Sequence, residues 1–98
     1  MITRLAFRRV ARVEFDEAAD WYERRQVGLG PRFVAAVQRV LDRITELPDF
    51  DPVVHGDVRE ALVRRFPFCI YYREGADQIL VLAVFHTSRD PSVWQDRP

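Results

Sequence analysis

The chain has 98 residues, 48% hydrophobic and 31% charged, which is enough apolar material for one folded domain and too little length for two. Fifteen basic residues balance fifteen acidic ones, and a net charge of zero argues against holding nucleic acid or an anionic membrane by bulk charge. The longest apolar run, Ile79 to Phe85, is seven residues, far below the ~20 that cross a bilayer, and Arg4, Arg8 and Arg9 interrupt any signal-peptide core.

Cys69 is alone, so neither an internal disulfide nor a cysteine-based metal cluster is available. The expectation is a single cytoplasmic domain over residues 1–98, with no cofactor, no metal and no membrane partner. All fifteen basic residues are Arg, and there is no Lys and no Asn. Guanidinium suits a bidentate grip on carboxylate or phosphate, but a codon bias toward GC-rich triplets gives the same composition and is the plainer account.

Residues 3–7 (Thr-Arg-Leu-Ala-Phe) read as a short first strand. From Ala11 the apolar positions Ala11, Phe15, Ala18, Ala19 and Tyr22 recur at i, i+4, i+7, i+8 and i+11, one face of a helix. Glu14, Asp16 and Glu17 early in that segment and Arg24–Arg25 late in it suit the helix dipole at both ends. Val27-Gly28-Leu29-Gly30 breaks the pattern, and Gly30-Pro31 reads as N-cap and first position of a second helix. Its stripe of Phe33, Val37, Val40, Leu41 and Ile44 repeats the spacing of the first, and Pro48 ends it. Two such stripes joined by a short glycine-containing turn predict an antiparallel helical hairpin, too small to bury both faces without a sheet.

The second half supplies the sheet. Asp49–Asp57 reads as a loop, followed by strands over 58–65, 68–74 and 78–86, the last two joined by the turn Glu74-Gly75-Ala76-Asp77. The final strand is apolar at every position from Ile79 to Phe85, which predicts a central strand covered on both faces. The helices account for one face, and a partner protein is a candidate cover for the other. Asp90-Pro91 stops the sheet and leaves a tail. The fold class is therefore α+β: a short N-terminal strand and a helical hairpin packed on one face of a small antiparallel sheet.

Chemistry-bearing residues gather just past the last strand. His86 can move protons near neutral pH, Arg89 can hold a phosphate or a developing negative charge, and Trp94 can stack on a base. A structural account is the plainer one: His86 caps the strand, Arg89 pairs with a carboxylate, and Trp94 anchors the tail. Asp16, Glu17 and Asp20 suit a solvated helix face, and His55 stands alone in the loop. A P-loop is impossible without Lys, and Ser88 and Ser92 lack a nucleophile-elbow context. Cys69, inside an apolar strand, reads as a small core residue rather than a reactive thiolate.

Four stretches together resemble the RelE/ParE superfamily, the toxin half of type II toxin–antitoxin pairs. They are Glu14–Glu23, Gly28–Phe33, Arg64–Tyr72 and Val81–Trp94, in the family's order and near its usual length. The resemblance implies the α+β fold above and a cognate antitoxin whose C-terminal segment wraps the toxin. It also divides the targets. RelE-like members are ribosome-dependent mRNA endonucleases, whereas ParE-like members poison DNA gyrase.

The RelE-type pattern carries an Arg second in its aromatic–Arg–apolar–apolar–Tyr strand, where this chain has Cys69 in Phe68-Cys69-Ile70-Tyr71-Tyr72. The basic pair on the preceding strand falls near Glu60 and Leu62. Arg89 matches the C-terminal Arg, and Trp94 roughly matches the tail aromatic. A thiol in an apolar strand cannot neutralise a scissile phosphate. The resemblance therefore favours a gyrase-directed, non-enzymatic toxin, with Arg59, Arg65, Tyr72, Arg89 and Trp94 as candidate binding residues and no sequence-specific DNA binding. The alternative is a nuclease acting on ribosome-bound mRNA through Arg65, His86 and Arg89, and a third reading is an inactive antitoxin-binding module.

Overall fold

The computed structural model describes residues 4–98. The first strand, β1, is Arg4–Phe7; Thr3, expected at its start, lies outside the described residues. Two helices follow, α1 over Arg9–Arg25 and α2 over Leu29–Glu46. The strands β2 (Val53–His55), β3 (Val58–Leu62), β4 (Phe68–Glu74) and β5 (Gln78–His86) come next, and a single helical turn, α3 (Ser92–Gln95), closes the chain.

The five strands form one sheet in the order β1-β5-β4-β3-β2. Three of its pairings are antiparallel, but β1 lies parallel to β5, with Arg4 opposite Gln78 and Phe7 opposite Val81. The sheet is mostly antiparallel, as expected, with the N-terminal strand added at one edge in the parallel sense. A parallel neighbour needs a crossover connection, which the helical hairpin supplies.

Both helical stripes face the sheet. Ala11, Phe15, Phe33, Val37, Val40, Leu41 and Ile44 are buried against Ile70, Tyr72, Ile79, Val81 and Val84. Phe33 sits among rings, with centroids at 5.1 Å from Tyr22, 5.2 Å from Phe66 and 5.0 Å from Phe68. The hairpin's turn works differently from the sequence reading. Gly28, at φ +90°, is the N-cap, and α2 starts at Leu29, so Pro31 falls inside the first turn, where no backbone donor is required. Glu23 on α1 satisfies that helix start, its carboxylate accepting from the backbone N–H groups of Gly28 at 3.0 Å and Gly30 at 2.9 Å. A Cβ on Gly30 would lie 2.9 Å from the Ala19 carbonyl oxygen, so only glycine lets the two helices approach this closely. The dipole expectation for α1 holds at its C-terminus, with Arg24 and Arg25 in the last turn. It does not hold at the N-terminus: the helix begins at Arg9, and Glu14 lies beyond the first turn.

The run Ile79–Phe85 is divided between faces by a β-bulge. Tyr71 pairs with Ala83 and Tyr72 with Val81, leaving Leu82 without a partner. Val81 and Val84 therefore join the helix-covered core, while Leu82, Ala83 and Phe85 join a second cluster on the other face with Val58, Cys69 and Tyr71. The cover of that second face comes from the chain itself: Trp94 of α3 lies on it, 2% exposed, its ring 3.9 Å from that of Tyr71. The short edge strand β2 lies within the stretch that reads as loop; Val53-Val54-His55 is exposed throughout and paired on one side only.

Candidate functional site

Two concave regions lie on opposite sides of the sheet. The outer one, about 240 Å³, is bordered by Glu60, Tyr71, His86, Arg89 and Trp94. Its polar groups are mostly committed to partners. The Tyr71 hydroxyl donates to Glu60 Oε2 at 2.7 Å, and burial, reinforced by that bond, pushes the phenol pKa well above its usual value. The Cys69 thiol is also pushed up, by burial and by the neighbouring Glu60 charge, so it is neutral near pH 7.

Arg89 donates to Glu14 Oε2 at 2.9 Å and lies over the Phe85 ring at 4.1 Å, with its side chain 43% exposed. Nδ1 of His86 accepts from the Ser88 backbone N–H at 3.0 Å, and its ring meets Phe68 edge-on. Trp94 stacks on Tyr71, meets the His55 ring at nearly a right angle and is 2% exposed, so it offers no open face to a base. His86 and Arg89 thus share one depression as expected, but Arg89 and Trp94 sit in the structural arrangements the sequence also allowed.

Glu14 organises this region, and no local sequence signal marks it. Strand β5 outruns β1, so its edge beyond Val81 has no neighbouring strand. Glu14 Oε1 accepts from the Val84 N–H at 3.1 Å, and Arg97 donates to the Leu82 carbonyl at 3.0 Å and to both oxygens of Glu14 at 2.9 Å. One carboxylate on α1 therefore replaces a missing strand and fastens the tail. Farther along, the Pro98 carbonyl accepts from Arg8 and Arg73, while Arg73 also pairs with Asp57 at 2.8 Å.

Two other candidates lie away from the outer depression. Tyr72 is fully buried on the helix-covered face, where its hydroxyl donates to Asp51 Oδ2 at 2.7 Å, so it is a core residue and not a surface contact. Asp51 also receives Arg43 at 2.9 Å, and Arg59 donates to the Asp51 carbonyl at 2.6 Å. Arg59 thereby pins the 49–51 loop instead of facing a ligand.

Arg65 lies on the other side of the molecule from Arg89, in the β3–β4 turn, with φ +71°. It borders the second concavity, an open groove of about 950 Å³ between α2 and that turn. Arg32, Arg39 and Arg43 line it from α2, and Arg64 and Arg65 from the turn, together with apolar residues that include Tyr22, Leu29, Ala36 and Phe66. No carboxylate lines it. Among the described residues no group of three or more His, Cys, Asp and Glu side chains is placed to hold a metal ion, and no helix is long and apolar enough to cross a membrane.

The family model described as the ParE toxin of the type II toxin–antitoxin system parDE matches residues 5–91. The chain belongs to the ParE toxin family. A solved chain from the chromosomal ParDE toxin–antitoxin system of P. aeruginosa shares this ParE-like fold at 20% identity and a TM-score of 0.64, covering 89% of this chain and 98% of that one. No curated protein sequence matches it. The helical hairpin packed on a five-stranded sheet is thus an α+β fold of the ParE-like kind.

Proposed function

We propose that this ParE-family chain inhibits bacterial growth by binding DNA gyrase in the cytoplasm, and that a cognate antitoxin neutralises it. The observation that carries the reading is Cys69. It stands where the RelE-type pattern has an arginine, it is buried, and Glu60 raises its thiol pKa further, so the centre of β4 offers no cation to a scissile phosphate. The guanidiniums of Arg89 and Arg97 on the outer face are both bound by Glu14. Arg65, the third member of the nuclease alternative, lines a different concavity from His86 and Arg89. A binding toxin needs none of these groups to act on a phosphodiester.

The test is purified gyrase, assayed for supercoiling and for accumulation of cleaved DNA, with antitoxin-free protein added at micromolar concentration. Inhibition, or trapped cleavage complexes, is expected. Unchanged gyrase together with cleavage of ribosome-bound mRNA, abolished by Arg89→Ala, would replace this reading with the nuclease one. Harmless expression of soluble protein would leave a binding module only.

A further inference from the structure

We propose that Asp90–Pro98 is a strap that lifts off the outer face of the sheet while the rest of the domain stays folded, so that it governs access to the apolar surface beneath it. The first observation is how little of the segment is packed. Residues 87–93 are exposed without a break, and from residue 87 to residue 98 Trp94 alone is buried. That exposed stretch is a ready hinge, because moving it uncovers no apolar core until the indole itself leaves. The helix that carries the indole is a single turn with no side-chain cap at its start.

Polar bonds hold the strap down, and they converge on few groups. Arg97 donates to both oxygens of Glu14 at 2.9 Å and to the Leu82 carbonyl at 3.0 Å, and the Pro98 carbonyl receives Arg8 at 3.0 Å and Arg73 at 2.9 Å. Glu14 does not depend on the strap, since Arg89 and the Val84 N–H engage it from outside Asp90–Pro98. The body of the fold therefore keeps that carboxylate paired in the open state. Closure also carries a cost that opening removes. The Trp94 Nε1–H is buried with no hydrogen-bond partner among the described residues. A donor shut away from water in this way destabilises the closed position, and lifting the strap hydrates it. Trp94 shares its cluster with Val58, Cys69, Leu82, Ala83 and Phe85, none of them more than 4% exposed. A local opening thus uncovers a surface as dry as the helix-covered core.

Cys69, the chain's only thiol, lies in that cluster and serves as the reporter. Its labelling by fluorescein maleimide is followed in the whole protein at low urea, beside a urea titration of global unfolding. Labelling is expected roughly tenfold or more faster than global unfolding allows, at a rate nearly flat in urea because little surface opens. Arg97→Ala should speed it by about another tenfold or more. Val37→Ala, which weakens the helix-covered core, should lower the unfolding midpoint and leave labelling unchanged. Circular dichroism checks that both variants are folded. A second readout uses Trp21→Phe, which leaves Trp94 as the only indole. Combined with Arg97→Ala, its emission should shift red at lower urea than that at which the helical signal is lost. The proposal is overturned by labelling that rises with urea as steeply as global unfolding does, by Val37→Ala accelerating it as much as Arg97→Ala, or by coincident emission and ellipticity curves. Neither gyrase nor an antitoxin enters these readouts, so the strap stands or falls apart from the toxin reading.

Discussion

The two faces of the sheet are closed by different means. On the helix-covered face, apolar side chains from both helices and four strands form one continuous core, and its polar feature, Asp51 with Arg43 and Tyr72, sits at the margin. On the outer face a smaller cluster is covered by one indole ring, and the segment carrying that ring is fastened by ion pairs and hydrogen bonds through Glu14, Arg89 and Arg97. Apolar burial is non-directional and is spread over many contacts. A clasp of this kind depends on every partner being present, because each buried donor left alone costs its own desolvation.

That contrast can be broken most forcefully at Phe33. Phe33→Ala empties the centre of the ring cluster and should lower unfolding free energy by about 4 kcal/mol in urea titrations; a loss under about 1 kcal/mol would deny that this face is the main core. On the outer face, Glu14→Ala strands Arg97 and the Val84 N–H together. A loss of about 3 kcal/mol is expected, with faster proteolysis after Asp90, and Glu14→Gln should recover part of it. If the alanine variant is as stable as the parent, the clasp is not holding the tail.

Neighbouring tyrosines sharpen the comparison, since Tyr71 and Tyr72 point to opposite faces and each donates to a carboxylate. Tyr72→Phe removes a donor from buried Asp51 and should cost about 1.5 kcal/mol, and Tyr71→Phe, beside the more accessible Glu60, should cost less. The reverse order would mean that the outer face is the drier one. The smallest effect is alkaline. Burial, then hydrogen bonding to a carboxylate, raises both phenol pKa values above the free value near 10, so the folded protein holds these protons more tightly than the unfolded chain. The stability they contribute is complete below about pH 10 and is lost as pH rises beyond it. Denaturant midpoints followed upward from pH 9 should fall, and the double Phe variant should flatten the decline; an unchanged slope would count against the two bonds.

Much of this architecture is legible in the sequence because it is periodic. The helical stripes at Ala11–Tyr22 and Phe33–Ile44, the β4–β5 turn and the doubly covered final strand follow from spacing alone, and β4 and β5 have the expected bounds. Strand β3 ends at Leu62 instead of 65, since Arg65 adopts a left-handed conformation that no ladder accommodates. What spacing cannot reveal are pairings between remote residues. Glu14 meets Arg97 from 83 positions away, and nothing in Val-Glu-Phe-Asp distinguishes that carboxylate from its solvated neighbours. Asp51 is hidden in the same way, inside a stretch that reads as loop. The rim at His86 and Arg89 was visible as a location, but whether its groups were free depended on those same distant partners. The arginine groove unites two segments, 32–43 and 64–65, whose residues look like ordinary solvated charges when read in line.

The parallel pairing of β1 with β5 has a consequence for how the protein is made. Residues 4–7 are synthesised more than seventy residues ahead of residues 78–81, their sheet neighbour among the described residues. Until β5 emerges, β1 has no ladder and α1 has no strand beneath it, and Glu14 waits longer still, for Arg97. Closure of so distant a contact is slow compared with local helix formation. A nascent chain that has not yet reached residues 78–97 therefore carries helices but no finished sheet, and the fold waits for β5 and the clasp behind it.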